Sequence, residues 1–419
     1  MTLEVTVRES LDDADGLIQE WTQLHESSGT RIPFSAPEWA WTWLEHFATS
    51  DDTPVLYEVR EDDRLIGVAP YYRHRMPAGM SRLQPVGTGL EWIGPYELPS
   101  MLALPDRGRE VARAVVEQVC RQQPDWDWTN VSLGDTAHWL EPEWLPGPAF
   151  TSLTKRVVGA VVVDLEVSAP EEVLRGRRNL KESLRRARNR LTSAFGADGW
   201  SVRLTVSPEE VEPAFQRLVR LHEERSLADG HREQHRNVFA SPRAAAFVTT
   251  AVGRLAARNR VSVYELVAGG EVIASQLVLH TATASYSSVS GTSEAGWPYS
   301  AVTYLQWQAV RDAHERGHRE MNLSVGPNQA KLRWSSTVRH YLDFVIVGPT
   351  SKSRVAYSAA QVVSSLNAYR EAVRTRREPK PKRRVLASVR RLPPVDGAAA
   401  ARDGHLDGVQ HERPLTRSR

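Results

Sequence analysis

Residues 290–334, SGTSEAGWPYSAVTYLQWQAVRDAHERGHREMNLSVGPNQAKLRW, read as the end of a strand, a turn, a helix, a second strand and a second turn that opens another short helix. Ser300 is placed to cap the helix through its hydroxyl and Gly317 to stop it in the left-handed region, so the helix is expected to begin near Ala301. A strand–helix–strand crossover makes its two strands parallel. Where parallel strands part, a cleft opens at their carboxyl ends. A ligand there meets the helix N-terminus, whose unpaired amides and dipole favour an anionic group such as a pyrophosphate.

Working outward, the landmarks of this half recur in the first. Phe34-Ser-Ala-Pro37 is echoed by Phe239-Ala-Ser-Pro242, each opening a helix. The hairpin YEVREDDRLIGVAP from Tyr57 aligns without gaps on YELVAGGEVIASQL from Tyr264, and Asn130-Val-Ser-Leu-Gly134 on Asn322-Leu-Ser-Val-Gly326. Three matches in one order indicate a tandem duplication of one α/β unit, with its junction between about Glu141 and Lys155. Each unit runs strand, helices, antiparallel hairpin, strand, helix, strand, which predicts a mixed sheet covered by helices. The expected organisation is a first domain over residues 1–150, a second over 151–350, an amphipathic helix over 351–378 (from about Ser353 to Thr375), and a disordered basic tail over 379–419.

A chain of 419 residues fits two domains of this size. The N-terminus has neither a basic start nor an apolar core, and the longest apolar run, Val157 to Val163, is too short to span a bilayer, so a cytoplasmic location is the expectation. Cys120 is the only cysteine. It ends a valine pattern at helical spacing, which predicts a buried helical position and leaves no internal disulfide or cysteine metal cluster. His222, His231 and His235 lack a matching ligand partner, so no metal is expected.

Charge is nearly balanced, 53 Lys and Arg against 51 Asp and Glu, but from Ser351 onward 16 basic residues face 6 acidic ones. Pro170 to Leu191 reads as one long helix, with Leu180, Leu184, Ala187 and Leu191 on one face. Its other face carries Arg175, Arg177, Arg178, Lys181, Arg185, Arg186, Arg188 and Arg190, either a solvated surface or a seat for an anionic ligand.

Taken together, FSAPEWAWTWLEHF, RLIGVAPYY, RRNLKESLRRARNRL, EVIASQLVLHTATASYSSVSGTS and GPNQAKLRW resemble the GNAT acyltransferase superfamily, in particular its tandem-domain CelD- or BcsL-type acetyltransferases of polysaccharide biosynthesis. The resemblance spans Phe34 to Val347. It implies two GNAT-like domains and acetyl-CoA or another acyl-CoA as co-substrate. The pantetheine would run along the strand Ala284–Ser290, including Val289 and Ser290, and the pyrophosphate would meet Tyr299, Ser300 and Ala301. Asn328 and Lys331 fall in the last motif, where relatives commonly carry a tyrosine at the position of Ala330. Transfer would be direct and metal-free, the acceptor attacking the thioester while a nearby group takes its proton.

For that base the sequence offers Glu294, Tyr286, His280 and Asn322, with Glu294 preferred for its place at the strand end; Lys331 is either a supporting charge or a surface residue. The first unit has no counterpart of GTSEAGWPYS, so the second is expected to be the active half. The acceptor would be a sugar, amino sugar or other small amine, in polysaccharide or cell-envelope biosynthesis. A transferase using aminoacyl-tRNA, or an inactive protein binding a glycan or partner, are the competing readings, although nucleic acid is not the expected partner.

Overall fold

Apolar runs punctuated by tight turns build the strands in hairpins, and the hairpins join into one sheet. The computed structural model describes residues 3–12, 14–88, 96–227 and 237–377. The first half contains β1 (Leu3–Arg8), α1 (Asp15–Ser27), α2 (Pro37–Phe47), β2 (Asp52–Glu61), β3 (Arg64–Met76), β4 (Met80–Pro85), β5 (Leu102–Ala103), α3 (Gly108–Arg121) and β6 (Trp128–Ser132). Then come β7 (Thr151–Asp164), α4 (Arg178–Phe195), β8 (Trp200–Thr205), α5 (Pro208–Leu227), α6 (Pro242–Ala256), β9 (Val261–Ala268), β10 (Glu271–His280) and β11 (Ala284–Thr292). The series ends with α7 (Ala301–Glu315), β12 (Glu320–Val325), α8 (Gln329–Leu332), β13 (Val338–Val347) and α9 (Ser351–Arg377). The hairpins β2–β3 and β9–β10 turn at Asp62-Asp63 and Gly269-Gly270, all four at positive φ, the geometry that matches the twist of the flanking strands.

The strand order is β1-β2-β3-β4-β6-β13-β7-β12-β11-β10-β9-β8, with β5 paired to β3. From either edge inward the halves present one series, β1-β2-β3-β4-β6 and β8-β9-β10-β11-β12, so the duplication read from three short landmarks is present as repeated topology. At the centre the halves exchange strands. β7, which follows β6 in sequence, runs antiparallel along β12 (Asp164↔Glu320 to Val162↔Asn322), while β13, which follows β12, runs antiparallel along β6 (Asp343↔Ser132 to Val347↔Trp128). The two exchanged strands also pair with each other, from Val338↔Val161 to Val347↔Thr151.

Side chains alternate across this sheet and feed cores on both faces. One face is shared: α1 and α2 of the first half and α5 and α6 of the second enclose a single core containing Trp21, Phe34, Trp39, Phe215, Phe247 and Tyr286. Trp39 meets Phe247 edge-on at 5.3 Å and Phe34 meets Tyr286 at 5.1 Å. Each such ring contributes roughly 1.5–3 kcal/mol through burial, so the halves are held by a core and not by a surface contact. On the opposite face α3 covers the first half, where Cys120 is buried as expected, and α4 with α7 covers the second.

Three local expectations are corrected. The segment Pro170–Leu191 is not one helix: a 3₁₀ turn, Pro170–Leu174, is separated from α4 by Gly176 at φ 74°, a left-handed residue that cannot continue a helix. Ser300 precedes α7 as expected but sits at φ 52°, ψ 40°, and its hydroxyl makes no cap hydrogen bond. Gly317, in contrast, ends α7 at φ 74° as expected. The last helix has its apolar residues divided between faces, Ala356 being buried against Trp128, Val345 and Val347 while Val355, Val362 and Val363 are exposed. The basic tail beyond residue 377, and His231 and His235, lie outside the described residues.

Candidate active site

β11 and β12 pair in parallel only at Ala284↔Glu320, Ser285↔Met321 and Tyr286↔Asn322. Beyond Tyr286 each strand follows a different neighbour. β12 turns toward β7 through Ser324 and Gly326, at φ 65° and 80°, and Gly326 donates to the Gly159 carbonyl at 2.9 Å. β11 stays on β10 with a register shift, so that Gln276 faces Ser290 but Val278 faces Ser287. This bulge gives β11 one extra residue at Ser288-Val289 and turns it away from β12. The result is a V-shaped cleft between residues 287–292 and 323–326, with α7 beginning at its rim. In a strand with a neighbour on one side only, every second amide points to the open side, here into the cleft.

Three polar side chains meet at the apex. The Tyr286 hydroxyl donates to Glu97 Oε2, and the Val325 amide reaches the same oxygen at 3.5 Å. Lys331 donates to the Val325 carbonyl at 2.6 Å and to Ser324 Oγ at 2.8 Å. Burial raises the pKa of Glu97 above the usual carboxylate range, against the opposing pull of Tyr286 and Lys331, while burial lowers that of Lys331. A carboxyl made more basic and an ammonium made more acidic therefore face each other across the end of β12.

Glu97 comes from the other half, and the repeat explains how. In the first half the parallel pair is β4–β6, joined only at Arg82↔Trp128 and Leu83↔Thr129. Its strand then leaves the sheet at Pro85 and returns as β5, where Leu102 and Ala103 take on β3 the places that Gly291 and Thr292 take on β10. The bulge of β11 is thus replaced by an excursion between Pro85 and Leu102, of which residues 86–88 and 96–101 are described. The returning strand closes its own cleft, the Met101 amide donating to the Ser132 carbonyl at 3.3 Å, while Asn130 donates to Gln84 across the parallel pair. The excursion itself crosses into the shared core, where Tyr96 stacks on Phe34 at 5.9 Å, and delivers Glu97 to Tyr286.

Residues 178–332 match the family model of the acetyltransferase (GNAT) domain. The part of the chain that is similar to this family therefore lies in the second half. The chain resembles the crystal structure of FemX with a TM-score of 0.53 at 11% identity, over 78% of this chain and 95% of that one. A conserved protein of unknown function from Bacteroides thetaiotaomicron VPI-5482 gives 0.49 at 10%, over 82% and 99%. The C-terminal domain of a putative lysylphosphatidylglycerol synthetase from Agrobacterium fabrum gives 0.47 at 11%, over 83% and 95%. At 11% identity the likeness to FemX is one of fold. No curated protein matches the sequence with significance.

Within the matched region the residues expected to hold acyl-CoA are spread around the cleft. Val289 is buried in the shared core, and Ser290 is held from α5, its Oγ accepting from Arg225 at 2.8 Å and its carbonyl from His222 at 2.9 Å. Tyr299 packs on Phe195 of α4, and Ser300 and Ala301 open α7. Asn328 is the cap of α8, its Oδ1 accepting from the Lys331 amide at 3.0 Å. Glu294 stands exposed at the start of the 3₁₀ turn Glu294–Tyr299, whereas Lys331 is drawn in beside Glu97. Ala330, where a tyrosine is missing, is exposed.

Of the other residues considered as a base, His280 is buried at the paired end of β10 between Ser285 (3.0 Å) and Ser262 (2.8 Å), and burial holds its pKa well below the usual value. Asn322 is buried and bonded to the Ser324 amide. Glu97 had no sequence signal, because it belongs to no motif and reaches the cleft only through the duplication.

α4 frames the cleft mouth. Arg177 donates to the Arg333 carbonyl at 3.5 Å and Arg190 to the Pro298 carbonyl at 2.9 Å, so the helix runs from the end of α8 to the turn before α7. Arg178, Lys181 and Arg188 are exposed, and a cavity of about 420 Å³ lies against Leu174, Gly176, Arg177, Arg178, Lys181 and Arg185.

Proposed function

We propose that this chain is an acyl-CoA-dependent N- or O-acyltransferase, an acetyltransferase in the first instance, acting on a sugar, amino sugar or other small amine in polysaccharide or cell-envelope biosynthesis. The observation that carries the reading is the cleft between β11 and β12, open in the second half and closed in the first, with the Glu97 carboxyl at its apex. The acyl-CoA lies in this cleft, its thioester carbonyl accepting from β11 amides that face no strand, and its phosphates meet the start of α7 and the arginines of α4. Val289, Ser290, Tyr299, Ser300 and Ala301 line its path, and Asn328 fixes the turn that carries Lys331.

The base is assigned to Glu97 and not to Glu294, because the Glu97 carboxyl is oriented at the apex by the Tyr286 hydroxyl and made more basic by burial, whereas Glu294 stands exposed on the 3₁₀ turn. The acceptor nitrogen or hydroxyl attacks the thioester carbon, Glu97 takes its proton, the carbon–sulfur bond breaks, and the leaving thiolate takes a proton from Lys331. The second half is thus the catalytic one, with the first supplying the base and one wall of the acceptor site. Release of coenzyme A from acetyl-CoA over a panel of amines and amino sugars, with the product mass determined, tests the proposal. Binding of acetyl-CoA without transfer to any acceptor would leave a binding protein.

A second reading, aminoacyl transfer from a charged tRNA, draws on the exposed cations of α4. It requires RNA binding that weakens steeply with salt and is lost when Arg178, Lys181 and Arg188 are neutralised.

A further inference from the structure

Two buried arginines are held in opposite ways. Arg260, 7% exposed, meets Glu26 at 2.9 Å and His25 at 3.1 Å. Arg82, 6% exposed, makes no hydrogen bond or ion pair with any described residue, and its Nε has no access to solvent either. Leu83 enters the core beneath α3, so its neighbours in β4, Arg82 and Gln84, turn to the shared face of the sheet, the one that carries Tyr72. Asp52 acts on Arg82 through space alone, because its two oxygens are engaged by His74 at 2.7 Å and Thr49 at 2.7 Å. A guanidinium withdrawn from water without a partner carries a desolvation cost that a bound anion offsets.

The surroundings add donors and positive charge. The oxygen of the buried Gln84 carboxamide accepts from Asn130 and, at 3.5 Å, from Thr88, which leaves its nitrogen as a donor on the same face. Lys155 stands at the bulge of β7, where Asp343 pairs with Arg156 but Phe344 with Thr154. It is exposed and so marks the side open to solvent. Even so, desolvation by the protein around it lowers its pKa, and the Arg156 and Arg82 cations lower it further against the pull of Asp343. Asp343 in turn is bound to Arg156 at 2.7 Å. Arg82 and Lys155 are therefore two cations within electrostatic reach of each other, and neither pairs with a carboxylate among the described residues. This place is not the cleft assigned to acyl-CoA. β4 belongs to the first half, whose cleft is closed, and the start of α7 lies on the opposite face, in the core that α4 and α7 cover.

We propose that Arg82 and Lys155, with the Gln84 amide, form a second binding site, for the phosphate or carboxylate group of a ligand other than acyl-CoA. The site does not depend on the acyl-transfer reading. In the test the full chain is melted in chloride, inorganic phosphate and acetate at matched ionic strength. Phosphate or acetate is expected to raise the melting temperature saturably above the chloride value, and the more effective of the two names the anion. Arg82→Met should need at least tenfold more of that anion for half the effect. In chloride it should melt no lower than wild type, since it removes an unpaired buried charge. Lys155→Met changes an exposed position, should keep the melting temperature in chloride, and should weaken the response to the anion at least threefold. Absence of a rise with both anions overturns the proposal, as does an unchanged response in either variant. An R82M chain that melts clearly lower in chloride, or does not fold, also overturns it, because the guanidinium would then be held by the fold itself.

Discussion

Glu97 and Lys331 hold the same residue from two sides, the carboxyl accepting from the Val325 amide and the ammonium donating to the Val325 carbonyl. One partner comes from the first half of the chain and the other from the second, so the end of β12 is the point where the duplication becomes chemically asymmetric.

Glu97→Gln should lower kcat by about 10²-fold or more with little change in acetyl-CoA affinity, because a base acts in the transition state. The acid limb of the wild-type pH profile should lie above the usual carboxylate range, since burial raises this pKa. The stability effect has the opposite sign. With the folded pKa raised, the favourable contribution of the neutral form is complete below the unfolded pKa and is lost as pH rises through the folded one. Glutamine stays neutral throughout, so thermal melts at neutral and higher pH should show E97Q at least as stable as wild type. A clear destabilisation there would assign Glu97 to structure.

Lys331→Met removes the charge but keeps most of the apolar length. Transfer should fall roughly 10- to 100-fold, and the basic limb of the pH profile, set below the usual lysine range by burial, should disappear. An unchanged basic limb would show that another group protonates the leaving thiolate.

Ser300→Gly relieves a non-glycine residue held at φ 52°, and should raise stability by roughly 1 kcal/mol in urea denaturation. If the serine contacts the phosphates of acyl-CoA, calorimetry should show weaker binding in the same variant, a strained residue retained for its ligand.

Gly291→Ala tests how closely α5 approaches the cleft strand. An added Cβ would lie 2.4 Å from the His222 amide nitrogen and 2.6 Å from the Leu221 carbonyl carbon, both backbone atoms that cannot rotate away. A loss of roughly 1–3 kcal/mol in urea denaturation is expected, at the upper end of that range.

His25 is fully buried, 3.1 Å from Arg260 of the other half, and burial together with that cation lowers its pKa to about 3. The unfolded chain therefore binds a proton that the native one refuses. Stability is lost as pH falls below the unfolded value of about 6.5, which amounts to ~2 kcal/mol between pH 7 and pH 5 from this residue. His25→Gln should flatten that part of the dependence in denaturation measured at the two pH values.

The repeat and the cleft strand were legible because they leave local marks: paired turn residues at 62–63 and 269–270, a helix ending at Gly317, and apolar strand runs. The break at Gly176 is marked in the sequence by the glycine itself, but the apolar stripe of α4 masks it when carried back toward Pro170. Ser300 misled because a serine before a helix predicts a hydroxyl cap, and here the preceding turn forces its backbone into the left-handed region, where the side chain caps nothing. Glu97 was beyond reach for a different reason. Its role depends on an excursion of one copy that inserts into the other, a relationship between segments almost 190 residues apart, with no periodicity to mark it.

The exchange of β7 and β13 has a consequence for synthesis on the ribosome. When β6 emerges, its neighbour in the finished sheet, β13, lies some 200 residues downstream, a delay of roughly 10–40 s at ordinary elongation rates. Throughout that interval the nascent first copy presents an unpaired edge at its centre, the kind of surface that recruits foreign strands. A chain truncated before Val338 leaves that edge permanently unfilled, so premature termination should yield an aggregating fragment in place of a smaller folded protein.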